Sequence, residues 1–187
     1  LQKSYGIEFL LKRSGKRLDG WLAYTWSRSF IQVNGGEIWN SINQGKVYPS
    51  NYDIPHVLNA ILNYHVSKRV TLSTTVTYQT GKPSTFPTGY YFIEGQPFLD
   101  YSNRNEYRIP DYFRTDLSLV IEGNLRKKKW IHSSFMFSVY NITSRKNAYS
   151  VYFTKETGSI YSYKYSVIGV PVFSVSWIFK LGNYEAD

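Results

Sequence analysis

The apolar residues of this chain recur at every second position, stretch after stretch, and nowhere at the three-and-four spacing of an amphipathic helix. That feature confines the fold to strands, because side chains alternate across a strand but return every 3.6 residues or so on a helix. The rhythm is clearest over 173–181. There Phe173, Val175, Trp177, Phe179 and Leu181 share one face, and Ser174, Ser176, Ile178 and Lys180 share the other. The same pattern predicts strands over about 3–13, 18–30, 54–66, 70–80 and 111–122, and a sixth from Trp130. In the first, Tyr5, Ile7, Phe9 and Leu11 oppose Gly6, Glu8 and Lys12, with Leu10 on the polar side. In the third, Leu58, Ala60, Leu62 and Tyr64 oppose Asn59, Asn63 and His65. In the fifth, Phe113, Leu117, Leu119 and Ile121 oppose Arg114, Asp116 and Ser118. Residues 142–170 read as a long hairpin turning at 155–158. The Gly169–Pro171 step marks a bend, since proline cannot donate to a ladder.

The connections between these strands alternate in length. Short turns fall at 14–17, 67–69 and 123–129, and long segments at about 31–52, 81–110 and 142–170. A meander sorted in this way has two unlike ends, which is the asymmetry of outer-membrane barrels. Mean hydropathy is −0.37, and no apolar run approaches the roughly 18–20 residues of a membrane helix. A barrel strand hides its apolarity in alternation and needs only about ten tilted residues to cross. The fold predicted is therefore all-β, an antiparallel up-and-down transmembrane β-barrel segment of about seven strands. Phe173, Val175, Trp177 and Phe179 are expected to face lipid, and Glu8, Asn59, Asn63, Arg114 and Asp116 to line the lumen. Bacterial barrels have an even strand count, so the missing strands are expected before Leu1 or on another chain. The alternative is a soluble β-sandwich with its apolar faces inward, acting as a carbohydrate-binding module.

Aromatic residues make up 18% of the chain, with Tyr 18, Phe 11 and Trp 5. Those near strand ends suit membrane interfaces, where a ring needs one wet edge. There is no cysteine, hence no disulfide or thiolate site. Net charge is +9, but the basic residues are spread over many turns rather than along one stripe, so nucleic acid is not expected as a partner. The run 126–129, RKKK, reads as a solvated turn. His56, His65 and His132 lie on separate strands or strand ends without metal-ligand spacing. No nucleophile–base–acid pattern or phosphate-cradling glycine loop is visible, so no enzymatic activity, metal or cofactor is expected. The tripeptide Asn141-Ile142-Thr143 matches a glycosylation sequon and carries no weight here. The best ligand candidate is the segment 81–110. It gathers Phe86, Tyr90, Tyr91, Phe92, Phe98, Tyr101 and Tyr107 with Arg104 and Arg108. Of these, Tyr90, Tyr91, Phe92, Tyr101, Arg104, Tyr107 and Arg108 are the predicted ligand-binding residues. Rings beside guanidinium groups suit sugars, peptides or chelates.

Several segments in order resemble one family. They are KSYGIEFLLKR, GWLAYTWSRS, PSNYDIPHVLNAILNYHVSKRVTLSTTVTYQTGKPSTFP, NRNEYRIPDYFRTDLSL, SVYNITSRKNAYSVYF and GVPVFSVSWIFKL. Together, over nearly the whole chain, they resemble the C-terminal part of a TonB-dependent outer-membrane receptor of the kind common in Bacteroidota. YDIPHVLN is similar to that family's lead-in to a barrel strand. The final strand with Phe179 resembles its C-terminal insertion signal, although Leu181 and GNYEAD extend past the usual terminal aromatic. The resemblance implies residues 1–187 of a 22-strand barrel domain whose plug and N-terminal strands lie outside this sequence. It further implies a bacterial outer membrane and uptake of a siderophore, oligosaccharide or peptide. The implied partners are membrane lipid, the remaining strands and plug, TonB through the N-terminal part, and a surface lipoprotein. A barrel serving as scaffold in an outer-membrane assembly would use the same wall.

Overall fold

The computed structural model describes residues 1–123, 130–156 and 159–182. It is all-β and antiparallel, with two single 3₁₀ turns among the described residues, at 38–40 and 43–45. In chain order the strands are β1 (Gln2–Arg13), β2 (Leu18–Ile31), β3 (Tyr48–Pro49), β4 (His56–His65), β5 (Val70–Gln79), β6 (Pro83–Ser84) and β7 (Pro87–Ile93). There follow β8 (Gln96–Tyr101), β9 (Tyr107–Arg108), β10 (Tyr112–Glu122), β11 (Ile131–Tyr140), β12 (Ser150–Glu156), β13 (Ser159–Tyr165) and β14 (Val172–Leu181).

Seven long strands form one sheet in the order β1-β2-β4-β5-β10-β11-β14, with the short β3 added to β2. Every long strand that the alternation predicts is present, with ends within about two residues of the expected ones. The strand ends joined by the three short connections lie at one end of the sheet, and those joined by the three long ones at the other. Gln2 pairs with Ile31 at the long-loop end, and Ile131 with Leu181 at the short-turn end. The sheet does not close: β1 and β14 are its two edges.

Residues directly opposite in register share a face, so the pairings sort the whole sheet. One row runs Phe9–Tyr24–Leu58–Tyr78–Phe113, and another runs Leu72–Leu119–Phe137–Val175. On the opposite face, one row runs Ala23–Asn59–Thr77–Arg114, and another sets Ser73, Ser118, Ser138 and Ser174 side by side. That second face also carries Trp21, Ile61, Val120, Met136 and Ile178 toward the short-turn end, so it is mostly rather than wholly polar.

The sheet buries almost no apolar side chain. Among the described residues only two hydrophobic side chains are buried, Tyr48 and Ala148, against six polar or charged ones. Along β11, His132 and Ser134 are buried while Phe135 and Phe137 are exposed. On β14, Phe173, Val175, Trp177 and Phe179 are 77%, 67%, 59% and 52% exposed. The accessible surface is 13411 Å², whereas a compact globular chain of this mass exposes about 9,300 Å². No described element covers the apolar face.

The connections are more ordered than the sequence suggests. Segment 81–110 reads as one loop, yet it holds the short β6–β9 pair and the β7–β8 hairpin. Glu94 and Gly95 turn that hairpin with φ of 48° and 78°, both left-handed, as a two-residue turn requires if it is to follow strand twist. Segment 142–170 contains the expected hairpin, β12–β13, on either side of 157–158. Residues 124–129, with the RKKK run, lie outside the described residues, as do 157–158 of the predicted turn and 183–187.

Candidate functional site

The long-loop end of the sheet is a rim in which the three long connections bind one another. Its centre is Asp53, whose side chain is fully buried. The Ser29 N–H donates to Oδ1 at 2.7 Å and Arg28 Nε donates to the same oxygen at 3.2 Å. Arg108 Nη2 donates to Oδ2, and Arg108 Nη1 to the Asp53 and Gly81 carbonyls at 2.8 and 2.9 Å. Burial pushes the Asp53 carboxyl up, but the Ser29 N–H, Arg108 and Arg28 together outweigh it and hold the carboxyl below its ordinary value. Asp111 is also held low, first by the Gly81 N–H at 2.8 Å and then by the Tyr78 hydroxyl at 2.7 Å. Gly81 allows this close approach, since a Cβ there would meet the Ile109 carbonyl oxygen at 1.6 Å.

Paired amides complete the rim. Asn43 Nδ2 donates to the Arg104 carbonyl at 3.1 Å, and the Arg104 N–H returns to Asn43 Oδ1 at 2.7 Å. Asn105 donates to Pro49 O and Asn51 Oδ1, both at 2.8 Å. Asn147 takes the Phe113 N–H and gives to the Phe113 carbonyl, each at 2.9 Å, as a neighbouring strand would. Phe86 stacks on Tyr107 at 5.2 Å and meets the edge of Phe153 at 4.9 Å, joining the second connection to the third.

The predicted ligand residues separate into two groups here. Tyr90, Tyr91 and Phe92 on β7, and Tyr101 at the end of β8, are exposed. Tyr91 stacks on Phe98 and Tyr90 meets the edge of Phe92, so the hairpin presents rings on both faces. Arg108, Arg104 and Tyr107 hold the rim together: the Arg108 guanidinium is committed to Asp53, the Arg104 backbone is clasped by Asn43, and Tyr107 lies on Phe86. A second aromatic array went unread in the sequence. On one face of β12–β13 stand Tyr152, Tyr161, Tyr163 and Tyr165, all exposed, with Tyr152 stacked on Tyr163 at 5.5 Å. The alternation Tyr161, Tyr163, Tyr165 is the local signal that points to it.

All five residues expected in the lumen, Glu8, Asn59, Asn63, Arg114 and Asp116, fall on the one mostly polar face. Phe173, Val175, Trp177 and Phe179 fall on the other. Arg114 Nε lies 3.0 Å from Asp116 Oδ2, and Arg114 Nη1 donates to the Tyr112 and Tyr140 hydroxyls at 3.1 and 2.9 Å. Its guanidinium also sits 4.4 Å from the Tyr140 ring centroid. Toward the short-turn end His65 bridges Asp19 (Nε2 to Oδ1, 2.5 Å) and Thr71 (Nδ1 to Oγ1, 3.0 Å), and Asn63 Nδ2 donates to Asp19 Oδ2 at 2.9 Å. These residues lie on three strands, and the sequence alone did not bring them together. Among the described residues no three His, Asp or Glu side chains are grouped to hold a metal ion.

Among the described residues no helix is long and apolar enough to cross a membrane, which says nothing of strands. A comparison with known protein families, curated proteins and solved structures finds no match, so the reading of function rests on this chain's own residues.

Proposed function

We propose that this chain is part of the wall of an outer-membrane β-barrel receptor that takes up a nutrient, of the TonB-dependent class its sequence resembles. The observation that carries the reading is the apolar face, which runs across all seven long strands with no described element over it. In water that arrangement is unfavourable, because roughly 25 cal/mol is lost for each Å² of apolar surface left wet. In lipid it is the expected one.

Dimensions support the same reading. Strands of 10 to 14 residues tilted near 45° span roughly 23–33 Å at about 3.3 Å per residue, enough for an apolar band about 25 Å tall. The outer edges of β1 and β14 would leave backbone N–H and C=O groups without water in such a band, so further strands, from this or another chain, must pair with them. The rim of interlocked loops then faces outward as the ligand side. The plug, the TonB contact and a surface lipoprotein enter through the resemblance. A soluble sandwich would need a second sheet over the apolar face, and no described element lies there. A scaffolding barrel would use the same wall, and only an uptake assay separates it from a transporter.

The chain has no cysteine of its own, so single cysteines report facing cleanly. Placed at 173, 175, 177 or 179, they should react with a lipid-phase probe in reconstituted vesicles. Placed at 174 or 176, they should react with a water-phase maleimide. The opposite pattern, or a chain that stays monomeric in buffer without detergent, refutes the wall.

A further inference from the structure

Below the rim, where β5, β10 and β11 reach it on the mostly polar face, the structure holds an open pocket of about 530 Å³. That volume suits a small organic molecule. Much of its wall is apolar or aromatic, including Ile109, Ala148, Tyr149 and Ile168. Two cations, Lys82 and Arg114, line it, and no aspartate or glutamate does. None of the residues predicted to bind ligand is among its lining residues.

Most polar groups at this pocket are already committed. Asn147 serves Phe113, and Asn141 Nδ2 serves the Arg145 and Ile168 carbonyls. Arg114 Nη1 donates to the Tyr112 and Tyr140 hydroxyls, which orients the guanidinium, and its Nε lies 3.0 Å from Asp116 Oδ2, so this cation already has a carboxylate beside it. Lys82 has no carboxylate within ion-pair reach among the described residues, and the residue is exposed. A largely apolar cavity lined by a lysine without a carboxylate partner and by a guanidinium oriented by a tyrosine pair selects an acidic group on an apolar body.

We infer that this pocket binds a small organic anion, its carboxylate held by Lys82 and Arg114 and its apolar body against Ile109, Ala148 and Tyr149. The assignment rests on the uptake reading and names the class of ligand. The probe pair is N-acetylphenylalaninate and N-acetylphenylalaninamide, which differ in charge but hardly in shape. Titration calorimetry on the full chain in detergent micelles at low salt should show the carboxylate binding roughly tenfold more tightly than the amide. Lys82→Gln should erase that preference by weakening the carboxylate alone, Lys82→Arg should restore it, and Tyr149→Ala should weaken both probes. Equal binding of the two probes, binding of neither, or a preference that survives Lys82→Gln overturns the assignment. The wall is tested separately by the cysteine labelling: a lipid-facing β14 with no anion preference overturns the pocket alone.

Discussion

Val175→Arg is the substitution on which the wall reading depends most sharply. Val175 sits on β14 in the apolar row with Phe137, Leu119 and Leu72, and is 67% exposed. It lies 1.5 residues from the middle of β14, which at about 3.3 Å per residue and a tilt near 45° is about 3.5 Å from mid-height. An arginine facing lipid at that depth costs about 2–4 kcal/mol, a factor of roughly 30 to 700 in the folded-to-unfolded ratio at 1.4 kcal/mol per decade. The same change at a position facing water stays within about 0.5 kcal/mol. Ser176→Arg, one residue on and nearer still to mid-height, provides the control because its side chain takes the other face. Reversible urea unfolding in lipid vesicles, followed by tryptophan fluorescence, measures both variants. A large loss for Val175→Arg with a small one for Ser176→Arg supports the facing. Comparable losses, or the reverse order, refute it.

Two further outcomes concern the rim. Asp53→Asn leaves Arg28 and Arg108 without their carboxylate. Breaking a fully buried pair costs 3–5 kcal/mol, but these arginine side chains are 30% and 28% exposed. A loss of about 2–3 kcal/mol is therefore expected for opening the rim, and exchange of the Ser29 amide should accelerate roughly 30- to 150-fold. Asp53 and Asp111 both titrate below their ordinary value in the folded chain, so the folded state binds fewer protons than the unfolded one near pH 4. Rim stability should be complete above the unfolded carboxyl value of about 4 and fall as pH drops through the folded values. Asp53→Asn combined with Asp111→Asn should flatten that acid limb, and an acid limb unchanged in the double variant would contradict the assignment.

The long strands were legible because alternation is a local property. Phe173 to Leu181 declares its two faces without reference to any other part of the chain, and the antiparallel meander follows from the short turns at 14–17 and 67–69. The β7–β8 hairpin was readable in principle from Glu94-Gly95, where the glycine takes a positive φ at no steric cost, but the surrounding prolines and glycines hid it within a loop. The roles of Arg104 and Arg108 were not readable. Their residue types suit a ligand as well as they suit Asp53 or Asn43, and only the fold brings those partners from more than fifty residues away. The His65–Asp19–Thr71 cluster and the anionic-ligand pocket arise in the same way, from strands and loops far apart in the chain.

By itself the sequence determined which side chains share a face, because a strand's period of two leaves no choice once the strand exists. The tertiary structure alone decided that no described element covers the apolar face, that β2 and the second long connection close on one buried carboxylate of the first, and that Lys82 and Arg114 line one pocket. Those are relations between distant segments, set by register and loop closure, and no local spacing encodes them.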